Sequence, residues 1–297
     1  MTPTALANCT ARINDLTFGV EIECTGVSTR ALIDAIATVP GCRLNTFGDA
    51  VLDSSGRRWN VVRDASIRSH NGFNGGEVVT PILQGNDDLA LLQRVIDAIA
   101  AAGAVSSSQF QCGVHVHIGA KHLKPKALGR LAAQVESADD FIRTAVKVAS
   151  ERHRWCAKLD KSIATRLARQ TTITGIARAW YGSTREANAA SDYHYHSSRY
   201  VGINLHSFFY RNRRTVEFRY FNGTLNSQDI ADYVTFCRWM VARAEFCSSF
   251  GLERPARTRS EAKAYLSALG LKDREFSARF TREFPAALPA APVAAAA

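Results

Sequence analysis

The chain has 297 residues, 46% of them hydrophobic and 22% charged, which is enough to bury the core of one large domain or two modest ones. No stretch approaches the roughly 20 apolar residues of a transmembrane helix, and the N-terminus lacks the basic-then-apolar pattern of a secretory signal. We therefore expect a cytoplasmic protein without a membrane span. The formal net charge of +10 predicts attraction to anions such as nucleotides, acidic metabolites or nucleic acid. Because the basic residues are dispersed, nucleic-acid binding is not favoured as the main role.

The seven cysteines are odd in number, scattered, and never spaced as a CxxC pair. This pattern argues against a disulfide framework and against a zinc ribbon. Cys24, Cys237 and Cys247 fall on apolar stretches, where we expect them to be small core residues.

Strands and helices are predicted to alternate along the chain. Strands are indicated where residues alternate in polarity or are β-branched and aromatic, at 17–24, 59–64, 76–80, 114–119, 200–206 and 215–221. The segment 211–214, with the sequence RNRR, is a candidate hairpin turn between the last two. Helices are indicated by apolar periodicity or composition at 28–38, 86–102, 124–149, 226–250 and 259–269.

Two segments are not typical of packed structure. Residues 181–198 are small, polar and aperiodic, which predicts a mobile loop or lid. The Ala/Pro-rich tail 285–297 is predicted to be disordered. No repeat or linker divides the rest, so we expect a single catalytic domain over residues 1–284.

Three short strands place ionisable side chains opposite an apolar stripe, because residues two apart in a strand share a face. The shared polar faces carry Glu21 and Glu23 in GVEIE, His115 and His117 in GVHVHIG, and Glu217 and Arg219 in TVEFRYF. Taken singly, these pairs are also explained by solvated acids, hydrogen-bonded core histidines and an exposed ion pair.

If the three strands share a sheet, their polar faces combine into one acidic and histidine-rich cluster. Glu77 and Asp64 could add two more carboxylates. So many acids in a cleft are costly unless cations neutralise them. Oxygen-rich sites with a histidine suit Mg²⁺ or Mn²⁺, so the pattern predicts a metal-dependent enzyme.

The motifs, in order, are GVEIE, Asp64–Ser66, GEVVTPI, CGVHVHIG, RYVGIN and TVEFRYFNGTL. This set resembles the amidoligase family, carboxylate–amine ligases related to glutamate–cysteine ligase and glutamine synthetase. The resemblance implies an α+β fold with a curved antiparallel sheet, backed by helices, whose concave face holds ATP and divalent metal ions. It also implies the reaction, in which ATP phosphorylates a substrate carboxylate and an amine attacks the acyl phosphate. The expected substrates are therefore a small-molecule or peptide carboxylate and an amine.

The resemblance also implies roles for individual residues. The implied metal ligands are Glu21, Glu23, Glu77, His115 and Glu217. The implied catalytic residues are Glu23, His117, Arg219 and Arg199. The implied ATP-binding residues are His117, Arg219, Asp64 and Asn204. Arg199 has the parity of the apolar face, so we expect it to lie before the strand that contains Asn204.

Other functions stay open on the sequence alone. A phosphotransferase of the same fold would form a phosphorylated product without an amide. A metal-dependent hydrolase could use the same acids and histidines. A basic nucleic-acid-binding protein would need no chemistry at all. In the polar segment, His194 and His196 are candidates for a substrate lid.

Overall fold

The structure, a computed structural model, describes residues 2–247 and 256–287. Nine strands lie within these ranges: β1 (Thr17–Cys24), β2 (Arg43–Leu44), β3 (Ala50–Leu52), β4 (Arg58–Arg63), β5 (Gly76–Val79), β6 (Leu83–Gln84), β7 (Gly113–Gly119), β8 (Ile203–Asn204) and β9 (Thr215–Asn222). They form one sheet in the order β2-β3-β4-β5-β1-β7-β9-β8, and β6 pairs with the start of β1. Every pairing between these strands is antiparallel.

Twelve helices accompany the sheet in the described part of the chain: α1 (Pro3–Asp15), α2 (Thr29–Ala37), α3 (Gly85–Ala101), α4 (Pro125–Ser137), α5 (Asp139–Ala145), α6 (Lys161–Ala168), α7 (Ile173–Tyr181), α8 (Thr184–Ala190), α9 (His206–Phe209), α10 (Ser227–Phe246), α11 (Arg259–Leu269) and α12 (Arg274–Phe280). None of them combines the length and the apolar composition that a bilayer-spanning helix requires. The predicted α+β fold, an antiparallel sheet backed by helices, is confirmed.

The apolar stripes of the central strands pack against the helices. In α10 the predicted apolar face is confirmed, because Ile230, Val234, Cys237, Val241 and Ala244 are all fully buried. Asn226 caps this helix, since its side chain accepts a hydrogen bond from the backbone N–H of Asp229. The opposite face of the sheet is thereby left free for the polar side chains.

A β-bulge in β9 changes which residue continues the apolar face. Val116 lies opposite Phe218, but Val114 lies opposite Phe221, so β9 carries one extra residue there. Phe221 stacks on Tyr233 of α10, with ring centroids 4.1 Å apart. The bulge keeps Phe218 and Phe221 on the helix side.

The strand predicted at 200–206 is wrong in length. Pairing with β9 is limited to Ile203 and Asn204, and the chain then enters α9. The side chain of Asn204 accepts a hydrogen bond from the backbone N–H of His206 at 2.7 Å, which turns the backbone out of the strand. Strands β8 and β9 do form an antiparallel pair, but the connection spans residues 205–214 rather than the four-residue turn predicted at 211–214.

Two further predictions need correction. The helix predicted at 124–149 is two helices, α4 and α5, separated at Ala138. The segment 181–198, predicted to be a mobile loop or lid without packed structure, contains α8, whose first turn is capped by the Ser183 side chain. The predicted disordered tail lies outside the described residues from position 288 onwards, as do residues 248–250 of the helix predicted at 226–250.

All seven cysteines are free thiols, as the sequence predicts. Cys24, Cys237 and Cys247 are buried, which confirms them as core residues. Burial raises the pKa of Cys24 to about 12, so this thiol is poorly suited to act as a nucleophile.

Candidate metal centre

Three rows of polar side chains cross one face of the sheet. Glu21 pairs with His115 across β1 and β7, and Glu23 pairs with Glu77 across β1 and β5. The third row runs from His117 to Glu217 and on to Asn204. The antiparallel register therefore brings the three sequence motifs together, as predicted.

Glu21 lies at the centre of this face. Its carboxylate Oε2 is 3.2 Å from His115 Nδ1, and its Oε1 is 3.3 Å from His117 Nε2. The His117 side chain also places its Nδ1 3.4 Å from the hydroxyl of Thr215. Both predicted histidines thus contact the same carboxylate.

Glu217 is held from two sides. Its Oε2 accepts a hydrogen bond from Asn204 Nδ2 at 2.6 Å, and its Oε1 pairs with the guanidinium of Arg219. The same Oε1 is 3.8 Å from His115 Nδ1. Asn204 thereby orients a predicted metal ligand, and its predicted role in ATP binding stays a prediction.

Glu23 lies at the other end of the cluster. It is only 7% exposed, and its Oε2 accepts a hydrogen bond from the backbone N–H of Gly113 at 2.6 Å. Its carboxylate lies close to those of Asp64 and Glu77. The structure groups Asp64 with these two carboxylates, an arrangement that suits a metal ligand, and its predicted role in ATP binding stays a prediction.

The side chains form three groups that could each hold a metal ion, with ligand atoms within 4.8 Å of one another. The groups are Glu21–His117–Glu217, Glu21–Glu77–His115 and Glu23–Asp64–Glu77. Each group offers two or three carboxylates and at most one imidazole. Mg²⁺ and Mn²⁺ bind such oxygen-rich sets of ligands. Because Glu21 and Glu77 each belong to two groups, the candidate sites are adjacent.

The acids at the Glu23 end lack enough cations to stay ionised. Burial, followed by the nearby charge of Asp64, raises the pKa of Glu23 to about 7 despite the opposing effect of Arg152. Burial and the neighbouring carboxylates, Glu21 first, raise the pKa of Glu77 to about 9. A divalent cation between these carboxylates would stabilise their ionised forms and so oppose both shifts.

The acids at the other end are compensated by cations of the chain itself. Burial alone would raise the pKa of Glu21, but His117 and His115 outweigh it and hold it well below the ordinary value. Burial is likewise outweighed at Glu217, where Arg219 and the two histidines lower the pKa to about 2. These two carboxylates are therefore ionised at neutral pH and ready to bind a metal.

Two cavities flank the cluster, and Glu21 lines both. The smaller, a polar cleft of about 580 Å³, reaches Glu23, Glu77, Asp64 and His115. The larger, an apolar cavity of about 890 Å³, reaches His117 and Thr215. We use the names polar cleft and apolar cavity for these two spaces below.

Arg199 lies in a 3-10 turn, Ser197–Arg199. It therefore precedes β8, as we expected because its position in the predicted strand would have faced the apolar side. It lines the polar cleft, where its guanidinium stacks on Tyr195 and Tyr200 at 5.7 and 5.8 Å from the ring centroids. His194 lines the same cleft. His196 pairs with Glu186 of α8 and lines neither of the two large spaces.

Arg152 is a cleft residue that the sequence interpretation missed. It is 2% exposed and donates to the backbone carbonyls of Cys112 and Arg219. It lies in a 3-10 turn, Ser150–Arg152, where no strand or helix periodicity marks it. The local basic cluster ERHRW was the one available signal.

Comparison with known sequences identifies a family. The profile described as "Putative amidoligase enzyme" matches residues 14–241, about three quarters of the chain. This range contains every predicted site residue. Curated proteins gave no match.

Comparison with solved structures gives distant fold relatives. The structure of a bifunctional glutathione synthetase from Pasteurella multocida is similar with a TM-score of 0.50 and 12% identity, over 95% of this chain and 48% of that one. The chain thus spans about half the length of that protein. A glutamine synthase homolog is matched at 12% identity over 94% of this chain and 67% of that one, but its TM-score of 0.34 is too low to bear on the fold. At 12% identity, the likeness to the glutathione synthetase concerns the fold alone.

Proposed function

Because the chain belongs to the amidoligase family, we propose that it is an ATP-dependent carboxylate–amine ligase that forms an amide bond through an acyl phosphate. Family membership supports a carboxylate–amine ligase in general terms. Our proposal adds three points: dependence on ATP, an acyl-phosphate intermediate and bound divalent metal ions. The observation that carries it is the set of three adjacent candidate metal groups, two with a histidine and one of carboxylates alone, between two cavities. Each of the two cavities could hold one of the two partners of a phosphoryl transfer.

The proposed reaction has two steps. An oxygen of the substrate carboxylate attacks the γ-phosphorus of ATP, so that ADP leaves and an acyl phosphate forms. The amine nitrogen then attacks the acyl carbon, phosphate leaves with the electron pair of the broken C–O bond, and the amine loses a proton. The reaction requires no side-chain nucleophile. This agrees with the burial of the free thiol of Cys24, which makes it poorly suited to that role.

The residues present fit divalent metal ions. Glu21, Glu77 and Glu23 would hold them, and a bound cation would offset the burial and the neighbouring carboxylates that raise the pKa of Glu77. Bound there, Mg²⁺ or Mn²⁺ would neutralise charge on the transferring phosphoryl group. Arg219, buried and fixed by Glu217 and by the carbonyl of Trp155, would add a permanent positive charge at the same place.

His117 would lie beside the phosphates. Its imidazole is fixed between Glu21 and Thr215, and it lines the apolar cavity next to the metal ligands. Burial lowers its pKa, but Glu21 and Glu217 outweigh that effect and raise it. A protonated His117 would stabilise a phosphate oxygen.

The test is turnover of purified protein with ATP and either Mg²⁺ or Mn²⁺, in a screen of carboxylates and amines that detects ADP and new amides. We expect ADP release that needs both substrates. Glu23→Gln and Arg219→Ala are each expected to abolish it, whereas Glu275→Gln, which changes a carboxylate that is 86% exposed, is the matched control.

Unchanged turnover in both site variants would contradict the site assignment. Accumulation of a phosphorylated product without an amide would instead identify a phosphotransferase of the same fold.

A further inference from the structure

The extra residue of β9 lies at the metal centre. Arg219 and Tyr220 are both opposite His115 of β7, because β9 has one residue more than β7 there. A β-bulge leaves a residue outside the regular ladder and re-aims side chains, often beside an active site. Here Arg219 pairs with Glu217 on the polar face, whereas Tyr220 is buried and donates a hydrogen bond to Asp139 of α5. The position of the Arg219 side chain therefore depends on what holds the bulge.

Arg152 binds the bulge from its 3-10 turn. Its Nη2 donates a hydrogen bond to the backbone carbonyl of Arg219 at 3.0 Å. Its Nη1 donates to the carbonyl of Cys112, which directly precedes β7, at 3.2 Å. The space for this guanidinium is left by Gly113, where an added Cβ would clash with it. One planar group thus joins β7 and β9 where the bulge interrupts their pairing.

The contact between the two arginines is reciprocal. Trp155, in the same turn as Arg152, accepts a hydrogen bond at its backbone carbonyl from Nε of Arg219 at 3.2 Å. The backbone N–H of Trp155 in turn donates to the carbonyl of Arg152 at 2.8 Å. Each arginine therefore holds the backbone of the segment that carries the other. A shift of Arg152 would move both the carbonyl of Arg219 and the acceptor of its side chain.

The segment 149–156, which carries Arg152, is anchored at both of its ends. The backbone N–H of Ala149 donates to the side-chain oxygen of Asn222 at the end of β9, at 2.9 Å. The carbonyl of Cys156 accepts a hydrogen bond from Arg143 of α5 at 2.6 Å. These contacts give the segment a fixed position from which it can support β9.

Hydrogen bonds to carbonyls, rather than an ion pair, occupy the guanidinium of Arg152. The side chain is only 2% exposed, and a buried cation is costly unless it is hydrogen-bonded. Within residues 2–247 and 256–287, no carboxylate lies within ion-pair distance of it. An arginine suits this place because its N–H donors form a rigid fork, whereas a lysine ammonium is a point charge.

We propose that Arg152 is a positioning residue, whose guanidinium holds the bulge of β9 and so fixes the side chain of Arg219 beside Glu217. It acts through the backbone of Arg219 and does not itself contact the reacting groups. The kinetic consequence of this inference rests on the proposed ligase function. The link between the two arginines is a property of the chain and is measured without substrate, nucleotide or metal.

The link is tested by hydrogen–deuterium exchange of the full chain in chelator. Arg152→Lys keeps the positive charge but loses the fork that reaches both carbonyls. We expect the backbone amides of the segment 215–222 to exchange about tenfold faster, because the bulge loses its support. Among them is the amide of Arg219, which donates to the carbonyl of Gly202 at 2.9 Å. The amides of α10 are expected to keep their protection, which shows that the change is local.

Arg154→Lys is the matched control for this measurement. It makes the same substitution in the same segment, at an exposed arginine whose guanidinium stacks on the ring of Trp155 at 4.9 Å. We expect wild-type exchange in the segment 215–222. Arg152→Gln, which keeps donors for one carbonyl, is the second variant and serves alone if a buried ammonium prevents folding of Arg152→Lys. Wild-type exchange of the bulge in the Arg152 variants would overturn the proposal.

The kinetic test separates positioning from direct substrate binding. Arg152→Lys is expected to lower kcat by about 10- to 100-fold, since a displacement of about 1 Å at a reacting group can cost 100-fold, and to leave KM nearly unchanged. In an Arg219→Lys background the same substitution should have little further effect, because Arg152 acts through Arg219. Added guanidinium ion should restore part of the activity of Arg152→Ala, whereas methylammonium should not. Equal rescue by both ions would show that charge alone matters and would overturn the proposal.

The outcomes for Arg152 and for the proposed function are distinguishable. If Arg152→Lys raises KM for a substrate and leaves kcat and the exchange of the bulge unchanged, Arg152 binds substrate, the positioning role is wrong and the ligase function stands. If the bulge exchanges faster in Arg152→Lys while the wild type shows no ATP-dependent turnover, the link between the arginines is supported and the proposed function fails.

Discussion

Glu21 lies directly opposite His115 in the register of β1 and β7, and its carboxylate is 3.2 Å from the imidazole Nδ1. The other oxygen of Glu21 is 3.3 Å from His117 Nε2. One carboxylate therefore joins both histidines and belongs to two of the three candidate metal groups. No other side chain of the cluster contacts the two histidines and also lines both flanking cavities, among the residues that the structure describes.

Glu21→Gln should have the largest effect on metal binding of any single change. The amide keeps the shape of the side chain but removes the charge that two candidate sites share. We expect Mn²⁺ affinity and kcat/KM each to fall on the order of 100-fold or more, since even loss of an outer-shell partner costs 10- to 100-fold. Electron paramagnetic resonance titration with Mn²⁺ measures the first quantity. Equal Mn²⁺ affinity in Glu21→Gln and in the exposed control Glu275→Gln would refute the role of Glu21 as a ligand shared by two metal sites.

Asn204→Ala tests the orientation of Glu217. The substitution removes the 2.6 Å hydrogen bond to Glu217 Oε2 and leaves the ion pair with Arg219. We expect Mn²⁺ affinity to fall by about 10- to 100-fold, the usual effect of losing an outer-shell partner. Asn222→Ala is the control, because that side chain bonds the backbone at Ala149 and Lys147 instead. Matching affinities in the two variants would show that Asn204 is dispensable.

The sequence predicted the polar faces of the strands because side-chain alternation is a local property of extended backbone. Glu21, Glu23 and His115 lie on the predicted face for this reason. Which acids come together was less predictable, since it depends on the register between distant strands. The grouping of Asp64 with Glu23 and Glu77 is set by the pairing of β5 with both β4 and β1.

The features that the sequence did not predict arise from tertiary contacts. The bulge in β9 places Phe221 opposite Val114, and nothing in TVEFRYF marks it. The end of β8 depends on the side chain of Asn204, which bonds the backbone of His206. Arg152 reaches the cleft from a 3-10 turn, where neither helical nor strand periodicity exists.

Gly113→Ala is expected to displace Arg152. An added Cβ would clash with Nη1 of Arg152, whose guanidinium donates hydrogen bonds to the backbone carbonyls of Cys112 and Arg219. Loss of these buried hydrogen bonds should cost on the order of 1–3 kcal/mol in the free energy of unfolding. Urea denaturation measures this, with Gly19→Ala, which meets only ordinary contacts, as the control.

The double variant Gly113→Ala/Arg152→Ala separates the clash from other effects. If the guanidinium causes the conflict, removing it makes the double variant more stable than the sum of the single changes predicts. If the changes in the free energy of unfolding are strictly additive, Gly113→Ala destabilises the protein for a reason other than contact with Arg152.

In the metal-free protein, Glu77 and Glu23 should contribute less to stability as the pH rises from about 5 to about 9. Burial and neighbouring acids raise the pKa of Glu77 to about 9, and burial with Asp64 raises that of Glu23 to about 7, whereas both ionise near their ordinary value in the unfolded chain. Across this range these two carboxylates bind more protons in the native state than in the unfolded state. Their contribution to the free energy of unfolding must therefore fall with increasing pH, and comparison with a Glu77 variant isolates it from histidines of lowered pKa, such as His115.

Mg²⁺ should reverse this dependence because it binds the ionised carboxylates of the native state. Urea midpoints at pH 5, 7 and 9, in chelator and in excess Mg²⁺, are the measurement. Glu77→Gln carries no titrating group at this position, so its metal-free midpoint should decline less between pH 5 and pH 9 and should exceed that of the wild type at pH 9. An identical pH profile for Glu77→Gln and wild type in chelator would show that Glu77 ionises as an ordinary surface acid, which would remove the electrostatic argument for a cation beside it.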